Sequence, residues 1–228
     1  MAKGTMGLGK YRGKMGAVVL RVVDGKQVMQ EYNPNPRDAN TIPQRCQREG
    51  MRLISKLGSS LLAAIKDGFS TNSYPFSAFI KANLKSDTVS GNNPDDVQID
   101  WTSVVVAENS LHRNTMLLAG VVDFGESHHL TISMPFTLTS DIPAANLNVK
   151  LVAYCADMGQ AIVSPPVTGS SAIVSCACPA IWDGLTVYVW AFAYANVGTV
   201  DPDAVNTTSS RLPVYTTESV FCGSGDLS

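Results

Sequence analysis

The chain has 228 residues, of which 45% are hydrophobic, 16% charged and 7% aromatic, with 18 Gly, 12 Pro and a formal net charge of −2. Disorder requires low hydrophobicity and high net charge, so a disordered or low-complexity chain is excluded, and a folded chain of this length buries about 70% of its unfolded surface without a metal or disulfide staple. The total conceals a division: residues 1–66 hold 12 of the 17 Lys and Arg against four acids, a net +8, which leaves five basic residues against 15 acids, a net −10, in residues 67–228.

Residues 1–14 read as a basic flexible arm carrying Lys3, Lys10, Arg12 and Lys14, with Tyr11 interleaved. Gly4 to Tyr11 nearly matches the phosphate-binding loop G-x4-G-K-[ST]. It fails because Tyr11 stands where a Mg²⁺-binding hydroxyl is needed and because a hairpin, not a helix, follows. No apolar run of the length of an export signal occurs at this end, and no stretch of 18 apolar residues occurs anywhere, so neither export nor a transmembrane helix is expected. Residues 15–32 read as a β-hairpin. Asp24-Gly25 separates two runs rich in Val, and a type I′ turn needs the positive φ that Gly supplies freely. Asn33-Pro-Asn-Pro then ends the strand, since proline cannot donate to a ladder.

Thr41-Ile-Pro-Gln opens a helix with a capping-box pattern, Thr41 as N-cap and Gln44 at N3, and Pro43 fits the first turn. The helix is expected to run to about Lys66 and stop at Asp67-Gly68, with Gly68 as a left-handed terminator. Helical periodicity gathers Ile42, Cys46, Leu53, Ile54, Leu57, Leu61, Ala64 and Ile65 on one side and Arg45, Arg48, Arg52 and Lys56 on the nearly opposite side. One face is therefore core and the other a basic stripe. Gly50 and Gly58 each cost about 1 kcal/mol relative to Ala in a helix interior, and their place beside the apolar side predicts close backbone packing.

From residue 76 the pattern becomes short β-type runs divided by Gly, Pro, Asn and Asp, with strands expected near 76–82, 97–106, 115–122, 128–138, 147–155, 172–178, 185–195 and 213–221. The best central strand is Asp183 to Tyr194, with Trp190, Phe192 and Tyr194 on one face and Tyr188 continuing it. Seven or more such strands with short loops point to a β-sandwich. Of the five cysteines (Cys46, Cys155, Cys176, Cys178 and Cys222), Cys176 and Cys178 alternate onto one strand face. Buried free thiols are the expectation, since neither a C-x2-C pair nor a nearby His pair supplies a zinc site. His128 and His129 are adjacent, so on a strand they face opposite ways, and with His112 they form no triad. Asn92-Asn-Pro-Asp-Asp and Asp201-Pro-Asp lack the ligand spacing of a calcium loop and read as turns, and Asn206-Thr-Thr is a glycosylation acceptor only in an exported chain.

Lys10-Tyr-Arg-Gly-Lys-Met-Gly-Ala-Val-Val, Gly25-Lys-Gln-Val-Met, Asn35-Pro-Arg-Asp-Ala-Asn-Thr-Ile-Pro-Gln-Arg-Cys-Gln-Arg, the helix end Gly68-Phe69 and Phe79-Ile-Lys-Ala-Asn together resemble a family of uncharacterised proteins of Bacteroidota and their phages. That family reads approximately G-K-x-G-x-V-V, a short hairpin, then N-P-x-T-x-x-Q-x-x-x-R and a helix ending in G-F. The likeness covers residues 9–85 and touches the rest only at Trp190 to Arg211, an aromatic strand followed by Ser209-Ser210. The family carries no established activity, so the resemblance implies no catalytic residue.

The expected fold is α+β and mostly β, with an N-terminal hairpin and one long amphipathic helix followed by an antiparallel β-sandwich of immunoglobulin-like or jelly-roll-like type. The expected divisions are the arm 1–14, hairpin plus helix 15–75, and sandwich 76–228. The expected function is a non-enzymatic structural or assembly protein, a bacteriophage virion component assembled in the host cytoplasm, without cofactor or metal. It would contact copies of itself or other virion proteins through Lys3, Lys10, Arg12, Lys14, Arg45, Arg48, Arg52 and Lys56, because complementary halves on one chain favour head-to-tail association. The alternatives are sequence-nonspecific nucleic-acid binding through the same arm and stripe, since Lys and Arg release phosphate counterions whatever the base sequence, and an exported immunoglobulin-like adhesive module.

Overall fold

The structure is a computed structural model that describes residues 2–3, 12–35, 39–70, 72–108, 122–124, 129–133, 147–168, 173–196 and 214–227. The chain divides into two compact units, Met1–Thr41 and Ile42–Ser228. Both rest on antiparallel strand pairing, and the whole is a mostly-β α+β fold.

In the first unit Asp24 and Gly25 both adopt positive φ, 49° and 73°, and connect β3 (Val18–Val23) to β4 (Lys26–Glu31) in the register Val23↔Lys26 to Val18↔Glu31. The hairpin expected over 15–32 is therefore present, with an additional turn. Gly16 at φ 60° folds β2 (Gly13–Met15) back onto β3, and β1 (Ala2–Lys3) pairs with β4, so the sheet order is β1-β4-β3-β2. Part of the stretch read as an arm is thus strand. Gly13 lies in the stretch read as a flexible arm, but with Gly16 its backbone freedom turns the chain into a ladder.

The second unit opens with α1 (Ile42–Ser60) and α2 (Leu62–Gly68), which replace the single long helix with two segments divided at Leu61. The amide ladder bridges that division, from Leu61 N to Leu57 O and from Ile65 N to Leu61 O. Ile54, Leu57, Leu61, Ala64 and Ile65 are buried as the periodicity predicts, while Ile42 at the first turn is exposed. Gly68 is the last helical residue and is not a left-handed terminator. Its carbonyl instead accepts from Glu108 N and from Thr216 Oγ1, and a Cβ there would lie 2.4 Å from Val106 O. Close tertiary approach is what requires glycine at this position.

Residues 76–82 are helix rather than strand: α3 spans Pro75–Asn83 with proline in its first turn. A short apolar run is compatible with either element, and the neighbours decide between them. Gly50 and Gly58 of α1 leave the space that α3 and its following turn occupy, for a Cβ on Gly58 would sit 2.9 Å from Phe76 and Phe79 and one on Gly50 would sit 2.9 Å from Val89. The expected strand 97–106 is also mostly absent. β5 (Val89–Ser90) pairs with β6 (Gln98–Ile99), a 3-10 turn covers Trp101–Ser103, and Val104 to Ala107 form an irregular extension, bent at Val106 and Ala107, in the same core as the helices. Buried Asn83 holds that extension: its Nδ2 donates to Phe79 O and Val105 O, at 3.0 and 2.8 Å, and its Oδ1 accepts from Val105 N at 2.7 Å.

Of the strand expected over 115–122 only Val122 is described, and it begins β7 (Val122–Phe124), while the described part of that expected over 128–138 is β8 (His129–Ser133). Next come β9 (Asn148–Cys155), β10 (Gln160–Val163), β11 (Val167–Thr168), β12 (Ile173–Ala177), β13 (Thr186–Asn196), β14 (Val214–Thr216) and β15 (Val220–Asp226). The element expected over 213–221 is thus divided between β14 and β15, and β10 and β11 lie in a stretch where no strand was expected. β13 pairs with β9, β14 and β15, and β9 also pairs with β10 and β11, while β12-β8-β7 form a separate sheet.

Alternation along β13 sorts two cores. Val187, Val189, Ala191 and Ala193 join Val149, Leu151, Ala153 and Cys155 of β9 with Val174, Cys176 and Trp182, while Trp190 and Phe192 join Val152 and Tyr154 with the buried faces of α1, α2 and α3. Small residues meet the second sheet, and large aromatic ones meet the helices.

Replacing Asn83 by Leu keeps the volume but strips Val105 N–H and C=O of their partners, so stability should fall by about 2–4 kcal/mol in chemical denaturation. Gly58→Ala gains about 1 kcal/mol of helix propensity but loses more to overpacking against Phe76 and Phe79. A lower denaturation midpoint, despite that propensity gain, is the expected outcome.

Candidate functional site

Arg45, Arg48, Arg52 and Lys56 are all exposed along α1, as the helical periodicity requires. The row is not four bare charges. Glu49 lies beside it, and Arg52 Nε donates to Glu49 Oε2 at 2.9 Å across one helical turn. That hydrogen bond holds the Glu49 carboxyl below its usual range and raises the already high value of Arg52. The pair neutralises the centre of the stripe, which leaves its net charge smaller than the count of cations implies.

The N-terminal cations belong to the other unit. Lys3 lies on β1, Arg12 and Lys14 are exposed, and the Lys14 ammonium sits 3.6 Å from the centroid of the Tyr32 ring. Arg21 donates to Gln30 across the hairpin. Lys10 lies outside the described residues, as do His112, His128, Asp201, Asp203 and Asn206. The first four and last four predicted contact residues therefore stand on separate compact units.

All five cysteines are free, with Cys155, Cys176 and Cys178 buried and Cys46 and Cys222 half-buried. A hydrogen bond between the Cys176 and Cys178 thiols raises Cys178, and burial adds to the rise. Burial also pushes Cys222 up to about 12. The raised thiols of Cys178 and Cys222 are poor nucleophiles at neutral pH, because the thiolate is the reactive form, whereas the hydrogen bond with Cys178 lowers Cys176. Among the described residues no cluster of three or more His, Cys, Asp or Glu could hold a metal ion. No helix among them is long and apolar enough to cross a membrane.

The feature that sequence reading missed is a cavity of about 320 Å³ between α1, β6, the Trp101 turn and the end of β9. Leu53, Leu57, Val97, Ile99 and Ala156 supply apolar wall, Trp101 and Tyr154 supply rings, and Lys56 and Gln98 bring polar groups. Its aromatic wall is built from the sheet outward. Tyr154 of β9 lies opposite Tyr188 of β13 in register, Trp101 stacks on Tyr188 with centroids 4.5 Å apart at 25°, and Tyr154 lies 5.5 Å from Trp101. A second cavity, of about 200 Å³ and including Cys46, Gly50, Lys85 and Val97, lies beside β5 and β6.

Asp100 fixes the Trp101 turn. Its Oδ1 accepts from Thr102 N and Thr102 Oγ1, at 3.0 and 2.7 Å, its Oδ2 accepts from Ser103 Oγ, and its own N–H donates to Thr88 O. The Thr102 hydroxyl and backbone N–H hold the Asp100 carboxyl below its usual range. Burial raises both Tyr154 and Tyr188, so each phenol stays protonated near neutral pH. The clue in the sequence was Asp100-Trp-Thr-Ser, in which an Asx-type turn precedes and follows short apolar runs.

A lowered carboxyl favours the folded state above the ordinary aspartate range and loses that contribution as pH falls through the folded value. Acidification below about pH 4 should therefore loosen the Trp101 turn. Indole fluorescence should report this as an acid-dependent change in the native protein that Asp100→Asn abolishes.

Comparison with protein-family models, with curated proteins and with solved structures finds no match for this chain.

Proposed function

We propose that this chain is a non-enzymatic structural or assembly protein, a bacteriophage virion component that self-associates through its basic N-terminal segment. The observation that carries the reading is the poverty of the first unit's own core. Among the described residues of this unit only Leu20 and Val28 are buried hydrophobic side chains, and units of about 40 residues rarely hold together without a metal, a disulfide or an oligomeric partner. The register sets Met15, Val18, Leu20, Val22 and Met29 on one face of the sheet, where Met15 remains 65% and Met29 41% exposed.

A second copy is the occupant that the charge distribution favours. The first unit carries seven basic residues against three acids, and the rest of the chain carries ten against 16, so the two portions attract head to tail. In this reading the second unit is the surface module. Its antiparallel layers are a sandwich of immunoglobulin-like or jelly-roll-like kind, with α1, α2 and α3 added on one face.

The exposed row on α1 supports a second reading, nonspecific nucleic-acid binding, which the Glu49–Arg52 pair weakens.

Light scattering behind size-exclusion chromatography should find an oligomer at low salt that dissociates as salt rises, and Met29→Lys should shift it to monomer at every salt concentration. A wild-type monomer throughout would sink the first reading. For the second, affinity for unrelated DNA should fall steeply with salt and fall again when Arg45, Arg48, Arg52 and Lys56 are changed to Gln.

A further inference from the structure

The cavity beside Trp101 combines three properties that packing alone does not require. Its aromatic wall is preorganised: Trp101 is held by Tyr188 and Tyr154, and its turn is tied down by four hydrogen bonds through Asp100. Its polar groups are unspent. Among the described residues the Tyr154 phenol makes no hydrogen bond to protein, and Lys56 and Gln98 are exposed, so their ammonium and amide are bonded to nothing but solvent. The Tyr154 oxygen is not among the buried side-chain atoms that lack a partner, so the phenol is open to water or to a ligand although the rest of the residue is buried.

The third property is the sign of the charge. Lys56 is cationic and no lining residue is acidic. The volume of about 320 Å³ falls at the lower end of the range for small-molecule sites, about 300–1,000 Å³. The chemistry these groups recognise follows from their types. Flat apolar wall of Trp101, Leu53 and Ile99 accepts a planar ring, while a phenol O–H and an ammonium N–H on the same lining are donors suited to an anionic oxygen.

We propose that this cavity binds a planar aromatic ring carrying an anionic group, a carboxylate or a phosphate. Such an anion comes from a free aromatic acid or from a nucleotide, and both present a ring to Trp101 and oxygens to Lys56 and Tyr154. The Gln98 amide, with two donors and an acceptor, pairs with the polar edge of the ring or with its substituent. Every residue of the site lies in the second unit, but Lys56 also belongs to the row of contact residues on α1, so Tyr154→Phe, outside that row, is the variant that separates this site from the proposed function.

Isothermal titration of the full-length protein with four probes tests this: 2-naphthoate, adenosine monophosphate, the neutral 2-naphthalenemethanol, and acetate. At least one of the two ring-bearing anions should bind saturably, the neutral alcohol about 10-fold more weakly, and acetate not at all. Lys56→Gln, an exposed substitution that leaves the core intact, should weaken the anion about 10-fold and leave the alcohol unchanged. Tyr154→Phe, checked for folding by circular dichroism, should weaken the anion several-fold. Binding of naphthoate alone assigns the site to aromatic acids, and binding of the nucleotide alone assigns it to nucleotides. The proposal is overturned if neither anion saturates, if the alcohol binds as tightly as naphthoate, or if Lys56→Gln leaves the anion's affinity untouched.

Discussion

The second unit depends on one strand pair. β9 and β13 run antiparallel over eight matched positions, from Val187↔Cys155 to Tyr194↔Asn148, and almost every side chain on both faces of the pair is buried. A sheet with two buried faces needs a cover for each. The small-residue face of β13 takes strand cover, since Ala191 and Ala193 let Val174 and Cys176 approach closely. The aromatic face takes helix cover, because the curved surfaces of α1, α2 and α3 accommodate Trp190 and Phe192 beside Ile54, Leu57 and Phe79. Burying such side chains is worth about 1.5–3 kcal/mol each, so this one alternation organises most of the apolar energy of the fold.

Where the ladder ends, side chains take over its hydrogen bonds. Ser164 Oγ accepts from Leu151 N while its own N–H donates to Leu151 O, and Thr217 does the same with Ala193. Asn83 grips both backbone groups of Val105, and Ser219 Oγ accepts from Val106 N. Lys150 donates to Asp67 at 2.6 Å and so joins the middle of the sheet to the end of α2. These residues hold irregular segments as firmly as strands would be held, because buried backbone groups left unpaired are expensive. The same logic positions the Trp101 turn and hence the cavity: the aromatic layer begins in the sheet at Tyr154 and Tyr188 and continues into Trp101.

The two units handle apolar surface differently. In the second, clusters on both faces of β13 enclose it, whereas in the first the sheet leaves Met15, Val23 and Met29 exposed. A small, basic and incompletely buried sheet attached to a well-packed acidic unit gives the charge division a structural meaning. Under the proposed self-association the apolar face would supply an attachment area, and the opposite charges would supply orientation.

Local chemistry was legible in the residues. Asp24-Gly25 specifies its turn through positive φ, the spacing of apolar residues over Ile54 to Ile65 specifies the buried face of α1 and α2, and alternation specifies β9, β12 and β13. Each of these signals is complete within a dozen residues. What tertiary structure alone decided involves partners far apart in the chain. Pro75–Asn83 is helical because Gly58 in α1 makes room for it and Val105 binds its end, and Gly68 is required by Val106 and Ala107 rather than by a helix cap. The cavity was invisible for the same reason: Lys56, the stretch Gln98 to Trp101, and Tyr154 come from three separate parts of the chain and meet only when the helices close over the aromatic face of the sheet. Periodicity records which way a side chain points, and long-range packing determines what it meets there.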